Sequence, residues 1–383
     1  MSTIKVNNIQ GTGASTSAIV VNSSDGTCTA NVTNRSNENY IINGGCRIDQ
    51  RNGGSAVTSG YAIDRTHIEG FDGGGTGTAQ RVTDSPSGLS NSLKVTVTGT
   101  DTSLASSAFY TLRHIIEGRN IAHLGFGASG GTSVTLSFFV KSSVTGTFCA
   151  SLGNGTNNRT MPKEYTISSA NTWEKKSLTF PADTTGTWGT DNGRGFSIRW
   201  CMGVGSTRQG TADTYNGNEA HGTANQTNLF ATNGATFQIT GLKLESGTVA
   251  TDFIPRSFGQ ELALCQRYCV RFSSDGGSSN GHYARFPVGY FAGSTSGTFG
   301  LHHPPMRAVA GRTITNSITN FEAFFNGGGG TINPTITLMG DGMWTTFTMF
   351  IVSGFPSGRT DGAMMTARVS NRPAWFIIID NEL

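Results

Sequence analysis

Charge is scarce in this chain. Asp, Glu, Lys and Arg together make up 13% of its 383 residues, about half the usual share of a globular domain, and the side chains that solvate helix surfaces are thinly represented. The net charge is only +3, too balanced to imply a nucleic-acid or anionic-membrane partner. A run of about eighteen apolar residues, the length a membrane-spanning helix needs, is missing. The opening MSTIKVNNIQGTG has no apolar core of a secretion signal, so the expectation is a soluble chain made in a cytoplasm. Six cysteines, Cys28, Cys46, Cys149, Cys201, Cys265 and Cys269, show no CxxC spacing and read as free thiols filling small apolar positions. HExxH, GxSxG, P-loop and EF-hand patterns are absent. So is any fixed-period repeat, which removes solenoid, propeller and β-helix readings.

What the chain does have is glycine, 53 residues of it, crowded with Ser, Thr and Asn, the currency of short strands joined by tight turns. The fold class is therefore all-β. In SLKVTVTG, Leu93, Val95 and Val97 share one face; Val134, Leu136, Phe138 and Val140 do so in SVTLSFFVK, and Phe196, Ile198 and Trp200 in GFSIRW. One-sided alternation means one face buried, and two such sheets face to face make a sandwich, here a jelly roll of roughly eight strands. In ATFQITGLKLESG the alternation of Phe237 and Ile239 resumes out of phase at Leu242 and Leu244, so a bulge is expected at Gly241.

One stretch reads as a helix, Ser257 to Tyr268. Phe258, Leu262, Cys265, Cys269 and Phe272 recur at steps of three or four, and Ser257 with Gln260 has the spacing of a capping box. Four segments follow: residues 1–44, whose small apolar islands cannot build a core and suit attachment to a partner; residues 45–256, the jelly roll; residues 257–272, the connecting helix; and residues 273–383, a second, smaller β-sandwich domain. The apolar run Trp375 to Ile379 reads as a strand buried on both faces. Leu262, Cys265, Trp375 and Ile377 are the expected subunit or domain packing residues.

INGGCRIDQRNGG (Ile42 to Gly54), YAIDR (Tyr61 to Arg65), VTLSFFVKSSVTGTF (Val134 to Phe148), the Asn171 to Gly195 segment and FQITGLKLESGTVATDFIPRSFGQELALCQRY (Phe237 to Tyr268) together resemble a family of bacteriophage virion proteins. These are tail-fibre or receptor-binding-type proteins, and MSTIKVNNIQ resembles the start of many from marine phages. The chain departs from the family at Thr66, where Trp often stands, and at Cys46, where Met is common; both look like packing positions. The resemblance covers most of residues 1–269 and implies an N-terminal piece that attaches to the particle, a carbohydrate-binding-module-like jelly roll and a distal β domain, assembled as a homotrimer. A fold shared in this way does not supply a ligand.

Sugar sites pair an aromatic face with amide and carboxylate hydrogen-bonders. GTWGTDNGRG offers Trp188, Asp191, Asn192 and Arg194, and TYNGNEAHG offers Tyr215, Asn216 and Glu219; because the Trp188 segment belongs to the resemblance, the preferred reading makes Trp188 a plug at the end of the sandwich and the ligand platform is its alternative. Asp49, Glu245 and Asp252, near both ends of the jelly roll, are the candidates for a structural Ca²⁺. His302 and His303, followed by two prolines, read as turn residues. Catalytic residues and cofactors are not assigned. The expectation is a non-enzymatic structural protein of a virion, a trimeric tail fibre or appendage that attaches through residues 1–44 to another virion protein and holds host-surface glycans. The alternatives are a capsid decoration or head-fibre protein and a glycan-cleaving tailspike.

Overall fold

The computed structural model describes residues 6, 8–10, 12, 19–21, 24, 28–30, 39–70, 74–273, 284–291, 295–307, 312–316, 321–325, 328–332, 335–344, 347–355, 364–369 and 376–382. Near the N-terminus the apolar islands pair with one another: β1 (Asn8–Ile9), β2 (Ile19–Val21) and β3 (Cys28–Ala30) form a three-stranded antiparallel sheet. Ile9 and Val20 stay exposed on it, and Val6 just ahead of it is exposed as well.

Next come β4 (Gly60–Ile63), β5 (Thr66–Glu69), β6 (Thr76–Val82), β7 (Ser92–Gly99), β8 (Phe109–Glu117), β9 (Val134–Ser142), β10 (Gly146–Asn154), β11 (Thr160–Ile167), β12 (Glu174–Phe180), β13 (Arg194–Val204) and β14 (Thr236–Ser246). They make two antiparallel sheets, of order β11-β10-β13-β8-β5-β4 and β12-β9-β14-β7-β6. From β7 to β14 the chain crosses between sheets at every step except the β10–β11 hairpin and leaves β7-β14-β9-β12 facing β8-β13-β10-β11. That is the order of an eight-stranded jelly roll, widened by β4, β5 and β6 at its edges. Leu93, Val95, Val97, Val134, Leu136, Phe138, Val140, Phe196, Ile198 and Trp200 all lie in the core between the sheets. The bulge falls where the alternation slips: the β9–β14 register shifts between Thr240 and Lys243, Gly241 has φ +62°, and Phe237, Ile239, Leu242 and Leu244 all stay buried.

Residues 39–44 belong physically to this sandwich. Tyr40 donates its amide to Leu244 O at 2.9 Å, Leu242 donates to Gly44 O at 2.9 Å, and Ile41 is in the core.

The helix, α1, spans Phe258–Gln266 with Ser257 as its cap and the Ser257–Gln260 capping box formed. Its apolar stripe is shorter than the spacing suggests. Phe258 is 52% exposed, Leu262 is half-buried and Cys265 fully buried against Ile42, Ile48 and Tyr268. Cys269 and Phe272 belong to a strand, β15 (Cys269–Ser273), because that segment finds a ladder partner in β24 (Phe376–Asp380). Buried Glu261 anchors the helix by accepting from Asn43 N at 2.6 Å and pairing with Arg256 at 3.1 Å.

The C-terminal region is β again. β24 lies between β15 and β18 (Thr313–Asn316), with Ile377, Ile378 and Ile379 all buried, so both its faces are covered. Trp375 lies outside the described residues. A seven-stranded sheet completes the region, built from β16 (Ala284–Phe291), β17 (Ser296–His302), β19 (Phe321–Phe325), β20 (Gly328–Ile332), β21 (Thr335–Trp344), β22 (Phe347–Ser353) and β23 (Met364–Val369).

A buried ionic joint fastens β24 to the jelly roll. The two-residue turn between β4 and β5 places Arg65 at φ +72°, a conformation that costs a non-glycine residue about 1–2 kcal/mol. It aims the guanidinium at Glu382 and stacks it 3.5 Å over the Tyr268 ring. Arg51 bonds Asp380 at 2.8 Å, Glu382 at 3.1 Å and Asp64 at 3.4 Å. Beside them buried Glu117 accepts two bonds from Arg267, at 2.9 and 2.6 Å, and one from Tyr268 OH at 2.9 Å.

Candidate functional site

The two loops singled out as sugar-binding do meet, but they spend their chemistry on each other and on the sandwich. Trp188 is buried among core aromatics, its ring perpendicular to Phe196 and Tyr215 with centroids 5.4 and 5.8 Å away, and its Nε1 donates to Thr185 O at 3.2 Å. Tyr215 donates its hydroxyl to Pro181 O at 2.9 Å and carries Arg159 over its ring. Asn216 uses its amide to fix its own loop, donating to Thr214 O at 2.8 Å and Thr211 O at 3.1 Å. Asp191 accepts from Gly193 N at 2.9 Å, Arg194 is exposed, and Asn192 O accepts from Arg307 at 2.9 Å. The indole face a sugar would stack on is thus covered by protein.

The cation candidates stand apart, each with local partners. Asp49 caps a turn by accepting from Asn52 N and Gly54 N, at 2.9 and 2.6 Å. Glu245, fully buried, accepts from Thr251 N and Oγ1 at 2.8 and 2.7 Å. Asp252 is exposed and pairs with Lys175 at 2.8 Å. Among the described residues no group of three His, Cys, Asp or Glu side chains is placed to hold a metal ion. Cys46, Cys149, Cys201, Cys265 and Cys269 are free and buried; burial pushes the Cys46 thiol up to about 12, so it is inert. His302 ends β17, exposed, while buried His303 bonds Thr348 Oγ1 at 2.9 Å.

The polar chemistry gathers instead on the outer face of the six-stranded sheet, where alternation turns the partners of the core residues outward. His67 on β5 sits opposite Tyr61 on β4 and Arg113 on β8, with the Tyr61 and His67 rings edge to face at 4.9 Å. Glu69, two residues on, is the centre of a chain of charges. One oxygen pairs with Arg113; the other accepts from Arg199 Nε at 2.9 Å and Thr111 Oγ1 at 3.2 Å. Arg199, almost wholly buried on β13, continues to Glu219 at 3.2 Å and Asn157 at 3.2 Å. Glu219 also holds Arg208 and lies 3.3 Å from His221 Nε2.

Burial works to raise the Glu69 carboxyl, but Arg199 and Arg113 beside it together hold it below the ordinary glutamate range. The nearby His221 ring, with Arg199 and Arg208 behind it, pulls Glu219 down to about 2. Burial lowers His67, and brings His221 to about 4, so both rings are neutral at pH 7. At the β4–β5 edge this face opens into a cleft of about 290 Å³ lined by Thr58, Ser59, Gly60, His67, Ile68, Glu69 and Gly70. It offers two hydroxyls, an imidazole and an ionised carboxylate on a rigid strand pair. His67, Glu69, Arg113 and Arg199 escape sequence reading because they come from three strands, β5, β8 and β13; their one signal is being the outward members of THIE, FYTLRHIIE and GFSIRW.

No family model matches the chain, and no curated protein matches it. Solved structures similar to it include the enzymatically active domain of tailspike protein 4 of bacteriophage CBA120, at 14% identity over 54% of this chain and 21% of that one, with a TM-score of 0.27. A putative sugar binding protein from Bacteroides thetaiotaomicron is 13% identical over 55% of this chain and 100% of that one, with a TM-score of 0.30. The family 11 carbohydrate-binding module of the cellulosomal cellulase Lic26A-Cel5E of Clostridium thermocellum is 13% identical over 52% of this chain and 98% of that one, with a TM-score of 0.26. This chain therefore spans about a fifth of the tailspike domain and nearly all of the two sugar-binding ones. At such TM-scores the likeness carries no argument about activity, and the functional reading rests on the chain's own residues.

Proposed function

We propose that this protein is a non-enzymatic structural component of a bacteriophage virion, a trimeric tail fibre or related appendage, and that the cleft at the β4–β5 edge holds a host-surface glycan. The observation that carries the glycan reading is the cleft itself, where hydroxyl, imidazole and carboxylate groups converge on a rigid sheet edge beside the Tyr61 ring. The virion reading rests on the resemblance of residues 1–269. A weak site of this kind gains from repetition, since three copies on one appendage raise the overall affinity without any new contact.

The chemistry of the cleft favours holding over cutting. Glycoside cleavage needs a carboxyl group kept protonated to serve as the acid, whereas Glu69 is kept ionised by two guanidinium groups. Asp64, which burial pushes up to about 6, has its side chain fully enclosed in the joint beneath Gln50 and Arg51.

The test is competition for host cells. The purified full-length chain should block phage adsorption, and Ser59→Trp, which fills the cleft from an exposed position, should abolish the block without changing the melting temperature. Equal blocking by the variant refutes the cleft. A monomeric mass in light scattering refutes the trimer, and shortening of host polysaccharide on incubation refutes the non-enzymatic reading.

A further inference from the structure

The five-stranded sheet carries a second aromatic and polar surface, on the opposite side of the sandwich from the cleft. Trp173, just ahead of β12, is half-buried. Its Nε1 points at Asp84 Oδ1, 3.4 Å away, and Lys141 Nζ sits over one face of the ring, 5.1 Å from its centre, so a ligand stacks on the other face. Asp84 stands on the loop between β6 and β7 with 48% of its side chain exposed, yet it is held in place from three sides. Lys141 pairs with it, Gln238 donates to Oδ2 at 3.2 Å, and Gln238 is itself oriented by Ser92 Oγ at 3.1 Å.

The same face continues into an apolar shelf. Phe139 and Leu89, both half-buried, close over Gly241, where an added Cβ would meet Phe139 at 2.9 Å and Leu89 at 3.2 Å. Glycine at the bulge is what lets the phenyl ring lie down on the sheet.

We infer that this face is a second saccharide-binding surface, in which a neutral glycan stacks on Trp173 and donates its hydroxyl hydrogens to Asp84. Two further features argue for that class of ligand. Of the described lysines on this face, Lys141, Lys175 and Lys243 are paired with Asp84, Asp252 and Glu245, which leaves Lys94 on β7 as a single cation, so an anionic polymer finds no basic stripe. The apolar part is also small. Two rings and one leucine cannot approach the roughly 800 Å² per partner of a stable protein interface, while one ring with a fixed carboxylate beside it matches the C–H face and hydroxyl edge of a sugar. The surface shares no residue with the cleft, so either reading can fail alone.

The experiment uses the full-length protein and a panel of soluble neutral polysaccharides, namely laminarin, galactomannan, arabinoxylan and pullulan, in affinity electrophoresis at low and high salt. At least one should retard the wild type, with little change in salt because no ion pair to the ligand is made. Trp173→Ala should weaken that binding about tenfold, equivalent to about 1.4 kcal/mol, Asp84→Asn by a smaller factor, and Trp173→Phe should retain most of it because the ring remains. Ser59→Trp, confined to the cleft, should leave this component in place. Retardation by none of the polymers overturns the inference, as does equal retardation of wild type and Trp173→Ala. A fall in oligomeric mass with Trp173→Ala also overturns it, assigning the face to a contact between copies.

Discussion

The joint between the jelly roll and β24 makes the sharpest stability prediction. Glu382→Ala removes the carboxylate that faces Arg65 and Arg51, whose side chains are 1% and 11% exposed. Arg51 keeps Asp380 and Asp64. Arg65 keeps only a backbone carbonyl, Ile115 O, and the Tyr268 ring, neither of which carries a compensating full charge. Breaking one side of such a buried pair costs about 3–5 kcal/mol, mostly the penalty of the charge left behind. That is a large part of the roughly 5–15 kcal/mol that holds a domain folded. The expected readout in urea is an early transition in which the C-terminal region releases while the sandwich stays folded, with a matching new site of proteolysis near α1. If the cost lies in the stranded cation, Arg65→Met in the same chain should recover at least about 1 kcal/mol of it, a non-additivity that a double-mutant cycle detects. Lys175→Ala, whose partner Asp252 is exposed, is the control and should leave both transitions unmoved. A Glu382→Ala protein within about 0.5 kcal/mol of wild type, or a strictly additive cycle, refutes the joint as an energetic element.

Two further outcomes follow from the sandwich. Trp188→Ala should cost about 3–5 kcal/mol because it opens a cavity among Phe126, Phe196 and Tyr215, and an unchanged melting temperature with lost cell binding would restore Trp188 as a ligand platform. His221, lowered to about 4 by burial, binds fewer protons folded than unfolded, so its contribution is full above pH 6.5 and is lost as pH falls through 6.5 to 4. Asp64, raised to about 6, acts in the opposite sense between about 4 and 6, so the quantity to measure is the difference between wild type and His221→Gln. Their melting temperatures should converge as pH falls from 7 to 4, and parallel curves would sink the assignment.

Several features were legible in the chain by itself, and they share a cause. Alternation at Leu93 to Val97, the phase slip at Gly241 and the Ser257–Gln260 cap are local, set by the two-residue period of a strand, one glycine at φ +62° and one side chain reaching one turn. All were found where the sequence places them. The helix read too long for a related reason. Cys269 and Phe272 keep the helical spacing, but β24, more than a hundred residues away in sequence, offers that segment a ladder, and spacing cannot see a distant partner.

The sites divide along the same line. Composition could say that an aromatic and several amides share the Trp188 and Tyr215 loops, but whether the indole faces water or Phe126 is a matter of packing. Only the tertiary structure decided that it faces inward. Only it brought His67, Glu69, Arg113 and Arg199 onto one surface from three strands, and only it carried Glu382 to Arg65 across 317 residues. The sequence by itself determined that the protein is all-β, where its strands alternate and where its helix begins, because those depend on neighbours a few positions apart. What the surface can hold, and how the C-terminal strand is fastened, depend on groups that meet only when two sheets close and their outward faces are assembled.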